Sequence, residues 1–373
     1  MASQKIKISI NEVESGMLTA EFISVYNEKG INVISVPPNT ILSHYTIDRM
    51  KRFGVKEVQI FVDLPSTDTR PKIIPPFEVP PVKPVIDDKL RETAVSGIRD
   101  LFDLAQGESV NMTTAYQVVK DLDNVVDELV DTISSEDPNS IVQIADLKSY
   151  DEYTYHHSLS VAVLAIAIGQ KLGFNKEQLK KLGQCAIMHD IGKMTVPNEL
   201  INKKGRLTDK EFKIVQDHAI NSARFLKQNN IGDTQLWIAV AHHHEKVNGK
   251  GYPNGLRGDK IPIYSQIIAV ADVYDAVTSY RSYRAPMPPA EAIEFIMSEV
   301  STSFEYNIVK AFVEKLEPYP LNSIVELSDG RRGVVVDNTK DSMRVVLKMI
   351  DDGSLLDLMG LDNLTLMITA VHT

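Results

Sequence analysis

At 373 residues, with 43% apolar and 24% charged side chains, the chain has the balance of a soluble globular protein and is too long for one small domain. A net charge of −10 excludes a broad nucleic-acid-binding surface, though a local group of arginines and lysines can still hold a small anion. The single cysteine, Cys185, excludes an internal disulfide, and the most apolar stretch, Leu159 to Ile168, is far short of the ~20 residues that span a membrane. With no secretory signal at the start, a cytoplasmic protein is expected that neither binds DNA nor inserts in a membrane, with Cys185 a small residue of its core.

Residues 1–64 read as a small mixed α/β module. Lys5 to Ile10 alternates with period two, Met17 to Tyr26 is extended, and Asn27 to Gly30 turns into a strand over Ile31 to Val36. Ser43 can cap a short helix, His44 to Phe53, which Gly54 can end in the left-handed conformation before a last strand, Val55 to Val62. Residues 65–86 form a linker whose stretch 65–84 holds seven of the 18 prolines, which keeps it extended.

The third segment, 87–318, is helical by pattern, with leading helices over 87–135. Met112, Ala115, Val119, Leu122, Val126, Leu129 and Ile133 alternate spacings of three and four, a seam that either packs on its own domain or pairs two chains in a dimer. Leu159 to Ile168 is apolar all round and marks a central helix. Pro289 and Glu291 begin a later helix, and Tyr319-Pro320 ends the helical part. Residues 319–373 read as a β-rich tail, with strands at Ile324 to Leu327, Gly333 to Val336 and Met343 to Lys348 and a turn at Asp329-Gly330. The fold class is therefore mainly α, with a small α+β module before the helical domain and a β-rich module after it.

Seven of the nine histidines fall between His156 and His244, about a quarter of the chain. Imidazole and carboxylate gathered in this way suit a divalent metal. His157 opens the central helix, and His189 and Asp190 lie together on a second helix with Lys193 one turn on. His218 is on a third, His243 and His244 follow the apolar run Trp237 to Ala241, and Asp272 sits in a largely apolar helix where an uncompensated carboxylate is costly. Five histidines and two aspartates are enough for two ions if Asp190 bridges them. Such a pair, about 3.5–4 Å apart, clamps a phosphoryl group and supplies a hydroxide nucleophile, and Lys193 can meet a non-bridging phosphate oxygen. His156 and His242 are expected behind the ligands or facing solvent.

These residues resemble the HD-GYP phosphodiesterases, a branch of the HD-domain metal-dependent phosphohydrolases. The resemblance runs from about Tyr150 to Phe312. Tyr153-Thr154-Tyr155-His156-His157-Ser158, His189-Asp190-Ile191-Gly192-Lys193, His218 and His243-His244-Glu245 carry it. So do Asn248-Gly249-Lys250-Gly251-Tyr252-Pro253-Asn254-Gly255-Leu256, Ile261-Pro262, Ala271-Asp272-Val273-Tyr274-Asp275-Ala276 and Arg281-Ser282-Tyr283-Arg284.

The resemblance implies an all-helical HD-type catalytic domain that hydrolyses cyclic di-GMP to linear pGpG with two divalent ions, iron or manganese. His157, His189, Asp190 and Asp272 would hold one ion, and Asp190, His218, His243 and His244 the other. Asp190 and Lys193 would serve catalysis, while Lys193, Tyr252, Arg281 and Arg284 would meet the substrate. A diguanylate cyclase or adaptor partner, and a homodimer through residues 112–133, are further expectations. Tyr153 stands where some members carry a glutamate linked to a third ion, which argues for two ions and the linear product. Asn248 replaces a usual aspartate with little effect expected on the turn. The rival readings are a cyclic-dinucleotide sensor or adaptor with a weak site, and a phosphodiesterase for another cyclic dinucleotide such as cyclic GMP-AMP.

Overall fold

The computed structural model describes residues 3–26, 32–36, 38, 40, 42, 44–63, 85–107, 111–135, 153–201, 203, 205–279, 286–338 and 344–372. The proline-rich stretch, the turn at Asn27 to Gly30, Ser43, Arg281 and Arg284 lie outside them. The N-terminal module consists of β1 (Ser3–Ser9), β2 (Ile23–Tyr26), β3 (Asn32–Val36), α1 (His44–Arg52) and β4 (Glu57–Asp63). The alternation in β1 sets Ile6 opposite Ile60 and Ile8 opposite Val58 in an antiparallel pair with β4. Ile47 and Met50 of α1 close the small core against Ile34, Val36, Val58 and Ile60. Gly54 does end this helix with φ of 81°.

Ten helices follow among the described residues: α2 (Asp88–Gln106), α3 (Met112–Ser135), α4 (Tyr153–Lys171), α5 (Lys176–Met188), α6 (Asn198–Ile201), α7 (Asp209–Gln228), α8 (Thr234–Ala241), α9 (Ile263–Thr278), α10 (Pro289–Ser298) and α11 (Tyr306–Val313). Their starts are written in side chains. Asp87, Asn175, Thr208 and Asp233 each accept the backbone N–H three residues on, at the heads of α2, α5, α7 and α8.

Every residue from Leu159 to Ile168 is exposed by 1% or less, because α4 is covered by α5, α9, α2, α3 and α11. A Cβ at Gly169 would lie 2.9 Å from Leu179 and Leu182, and one at Gly183 would lie 3.0 Å from Ile166. These two glycines let α4 and α5 approach closely and so bring the end of α5 to the histidine-rich face. The seam on α3 is used inside the chain: Leu122, Val126, Leu129 and Ile133 are buried, while α3 packs on α2, α4 and α5.

The C-terminal part is a five-stranded antiparallel sheet of β5 (Ile324–Leu327), β6 (Arg332–Asn338), β7 (Val345–Met349), β8 (Leu355–Asp357) and β9 (Ile368–His372), in the order β8-β7-β6-β5-β9. The two outer strands were not legible in the sequence. β8 is three residues long with both ends exposed, and β9 follows a turn-rich stretch that hides its period. Leu18 of the N-terminal module packs on Ile324 and Val334 of this sheet. The described residues of Met1–Pro84, Pro288–Ala290 and Glu317–Thr373 form one compact unit, and those of Val85–Met287 and Glu291–Leu316 form the other. The fold is mainly α, with the α+β module and the sheet as its two smaller parts.

Candidate metal centre

Three helix ends and two helix bodies deliver the polar residues of the second unit to a single point. His157 is one turn into α4, and Asp272 lies in the body of α9. His218 is on α7, and His243 and His244 follow the last residue of α8. His189 and Asp190 are not on one continuous helix as expected. His189 caps α5 in helical geometry, and Asp190, at φ −103° and ψ 6°, opens a 3₁₀ turn over Ile191–Thr195. The break has a packing reason. The Gly192 N–H donates to Ser222 Oγ at 2.8 Å, and a Cβ at Gly192 would lie 2.1 Å from the carbonyl oxygen of His218. The chain leaves the helix so that its glycine can press on α7 beside His218.

The imidazoles are oriented from behind. Nδ1 of His189 lies 2.7 Å from the Ala186 carbonyl, that of His218 2.5 Å from Val215, and that of His243 2.6 Å from Val240. A carbonyl can only accept, so each Nδ1 carries the proton and each Nε2 presents a lone pair. His157 is turned the same way by a carboxylate, with Nδ1 2.7 Å from Asp275 Oδ2.

The freed Nε2 atoms converge on Asp190. His157 and His189 stand 3.5 Å and 3.2 Å from its Oδ2, and His218 and His243 stand 3.3 Å and 3.9 Å from its Oδ1. Asp272 completes the other side, 3.2 Å from His157 Nε2 and 3.9 Å from His244 Nδ1. Two groups result that can each hold a metal ion: Asp190 with His218, His243 and His244, and His157 with His189 and Asp272. Asp190 faces both.

The electrostatics fit such ions. Burial by itself would raise the Asp190 carboxyl, but the His189 imidazole, the Lys193 ammonium and the His157 imidazole around it hold it well below the usual carboxylate range. Burial likewise opposes ionisation of Asp272, and His157 overcomes it. Burial, then neighbouring imidazoles, lowers His243 well below its ordinary value; burial lowers His244 to about 3. His243 and His244 are therefore neutral and Asp190 and Asp272 ionised, the protonation states that bind a metal. Three buried atoms, His189 Nε2, His243 Nε2 and Asp190 Oδ1, make no hydrogen bond among the described residues. Bare lone pairs gathered beside a carboxylate are what a cation would satisfy.

Lys193 is ion-paired to Asp190, with about a quarter of its side chain exposed, so its ammonium borders the cluster. Tyr252 stacks on His244 with ring centroids 4.7 Å apart and planes 30° apart. Burial raises its phenol above the ordinary value, with Asp272 and Asp190 adding to the effect, so the hydroxyl stays protonated. The loop is held by Glu245, whose buried carboxylate accepts the N–H of Asn254 at 2.7 Å and of Leu256 at 2.9 Å. Gly251 is needed for close approach, since a Cβ there would lie 2.5 Å from the His244 carbonyl. The Lys250 N–H donates to Asn248 Oδ1 at 2.9 Å, which keeps the turn without the aspartate.

Of the residues singled out from the sequence, His157, His189, Asp190, Lys193, His218, His243, His244, Tyr252 and Asp272 are brought together. Arg281 and Arg284 lie outside the described residues. His156 is buried, and His242 braces the loop, its Nε2 3.0 Å from Asn254 Nδ2. Asp275 and Glu245 had no role assigned from the sequence. The signal for Asp275 was a second acid one turn beyond Asp272 in the same apolar helix, and for Glu245 an acid directly after the paired histidines.

A family model described as an HD domain matches residues 140–308. The chain is 34% identical to the cyclic di-GMP phosphodiesterase PA4108 of Pseudomonas aeruginosa over 308 residues, 79% of this chain and 73% of that protein. It is 35% identical to the 3′3′-cGAMP-specific phosphodiesterase 1 of Vibrio cholerae over 187 residues, 50% of this chain and 43% of that one. Among solved structures, Bd1817, an HD-GYP-type protein of Bdellovibrio bacteriovorus, aligns with a TM-score of 0.50 at 16% identity, over 83% of this chain and 98% of its own, which shows a shared fold.

Proposed function

The chain belongs to the HD-GYP cyclic di-GMP phosphodiesterase family of HD domains, and on that premise we propose that it hydrolyses cyclic di-GMP to the linear dinucleotide pGpG. The observation that carries this reading is the convergence of two ligand groups on the two oxygens of Asp190. His157, His189, Asp190 and Asp272 would hold one ion, and Asp190, His218, His243 and His244 the other. Bound ions of this kind polarise phosphate oxygens and supply the nucleophile at neutral pH. Iron or manganese suits the imidazole and carboxylate donors.

The chain's own groups do the rest. Asp190 is held ionised and offers an oxygen to each side. Lys193 sits at the edge, where its ammonium can meet a non-bridging phosphate oxygen and take up charge in the transition state. Tyr252 keeps His244 in plane and, as a neutral phenol, borders the phosphate without repelling it. Arg281 and Arg284 belong to the proposed contacts with the nucleotide on the strength of the motif alone. Tyr153, at the first position of α4 one turn before His157, offers no carboxylate for a third ion, which supports pGpG as the end product.

A second reading changes only the base. The relatives include a 3′3′-cGAMP-specific phosphodiesterase, so cyclic GMP-AMP is the alternative substrate. Anaerobic turnover of both dinucleotides, with iron and manganese tested separately and products resolved by chromatography, decides between them. Loss of both activities on replacing His189 and Asp190 together by alanine is expected; retained turnover in that variant would refute the assignment. No turnover by metal-loaded protein that still binds the nucleotide would support a sensor or adaptor.

No helix among the described residues is long and apolar enough to cross a membrane. A homodimer through residues 112–133 would have Met112 and Tyr116 to dock on, 56% and 70% exposed, since the inner seam is occupied within the chain. Sedimentation at several concentrations tests the dimer.

A further inference from the structure

A line of rings runs from the metal centre to the surface. Tyr252 stacks on His244, and Phe212, in the first turn of α7, meets Tyr252 edge to face at 6.3 Å and 82°. Phe212 is 48% exposed although its neighbours Asp209, Lys210, Glu211 and Lys213 are charged or polar, as a solvated helix start requires. An apolar ring in such a segment is not explained by the core.

The helical turn that carries the ring is also fixed before any ligand arrives. Thr208 and Glu211 close a capping box around the first turn of α7, and Lys203 pairs with Glu211 at 2.6 Å. From the other side, Glu245 fixes the loop that carries Tyr252. A half-exposed aromatic, separated from the metal ligand His244 by the one ring of Tyr252, stands where a base can reach it from a phosphate at the centre. Fixing it in advance lowers the ordering cost of binding.

We propose that Phe212 is a stacking platform for one nucleobase of the cyclic dinucleotide whose phosphate lies at the metal centre. The proposal rests on the reading of the preceding section and deepens it by naming a residue that meets the base. Every base has a π face, so the platform serves guanine and adenine alike and adds affinity without choosing between them. Phe212 meets the centre through Tyr252 and is not one of the proposed ion ligands, so it acts on binding and not on the chemical step.

The test is Phe212→Leu, which keeps apolar bulk and removes the π face, with Phe212→Trp beside it. For Phe212→Leu, KM for cyclic di-GMP is expected to rise by at least about fivefold, the lower edge of base–aromatic stacking, with kcat and metal content unchanged. Phe212→Trp adds an indole to a chain whose single tryptophan, Trp237, is engaged with the Ile231 carbonyl at 2.6 Å. Its fluorescence should be quenched by cyclic di-GMP, with no such quench in the parent protein. An unchanged KM, a fall in kcat alone as for a mere buttress of Tyr252, or an unquenched indole in protein that turns over the dinucleotide would each overturn the platform alone. A parent protein that neither binds nor hydrolyses any cyclic dinucleotide would overturn the reading of the preceding section together with the platform.

Discussion

Nδ1 of His157 lies 2.7 Å from Oδ2 of Asp275, one helical turn beyond Asp272 on α9, so a single helix both faces the centre and aims one of its imidazoles. Asp275 is 1% exposed and cannot act on substrate directly. Removing the charge should weaken the hold on His157 and with it the ion. Asp275→Asn is expected to lower metal affinity about 10- to 100-fold, measured by competition with a chromophoric chelator. Parent-like affinity would show that the contact is incidental.

Gly192 is a steric requirement of the site. Its missing Cβ would sit 2.1 Å from a backbone oxygen of α7 and 2.4 Å from the Ser222 nitrogen, neither of which is the end of a flexible side chain. Gly192→Ala should cost about 1–3 kcal/mol in thermal or denaturant unfolding. It should also reduce metal content, because the displaced carbonyl belongs to His218. An alanine variant as stable and as well loaded as the parent would contradict the packing argument.

Stripping the ions should destabilise the second unit. A ligand bound only by the folded state stabilises it by about 2.7 kcal/mol at a free concentration a hundred times Kd. Scanning calorimetry with and without chelator should therefore show a fall of roughly 5–10 °C for the transition of this unit. An unchanged melting temperature would mean that the cluster is satisfied without metal.

The pH dependence of the metal-free protein has a fixed sign. Burial holds His243 well below and His244 at about 3, against an ordinary value of 6.5 in the unfolded chain. Below pH 6.5 the unfolded chain therefore binds more protons than the folded one. Stability is complete above that pH and is lost as pH falls from 6.5 towards the folded values. The depressed carboxyls of Asp190 and Asp272 add a loss of the same sign below their ordinary value of 3.8. Urea midpoints measured from pH 8 to pH 5 should fall with acidification, and metal content should fall with them. A midpoint rising towards pH 5 would contradict the assigned neutral imidazoles.

Much of this was legible in the chain because the residues obey local rules. Leu159 to Ile168 announces a helix covered on all sides, and the crowding of histidine announces a cation site. The break between α5 and the turn at Ile191–Thr195 was not legible. It is imposed by α7, which lies elsewhere in the sequence, pressing on Gly192. β8 and β9 were missed because edge strands with exposed faces carry little apolar period. The roles of Asp275 and Glu245 depend on which backbone or imidazole stands opposite, and that is a property of the packed chain.

The pins behind the imidazoles differ in how they respond to sequence drift. His189, His218 and His243 are each turned by a carbonyl three residues earlier in their own segment, at Ala186, Val215 and Val240. Any amino acid at those three positions brings the same carbonyl, so mutation there leaves the tautomer untouched so long as the helix persists. Of the four imidazoles held through Nδ1, His157 takes its proton's partner from a side chain. Tolerance to substitution is thus uneven around one centre: three ligands inherit their orientation from the polypeptide itself, and the fourth depends on one gene-encoded carboxylate that drift can erase.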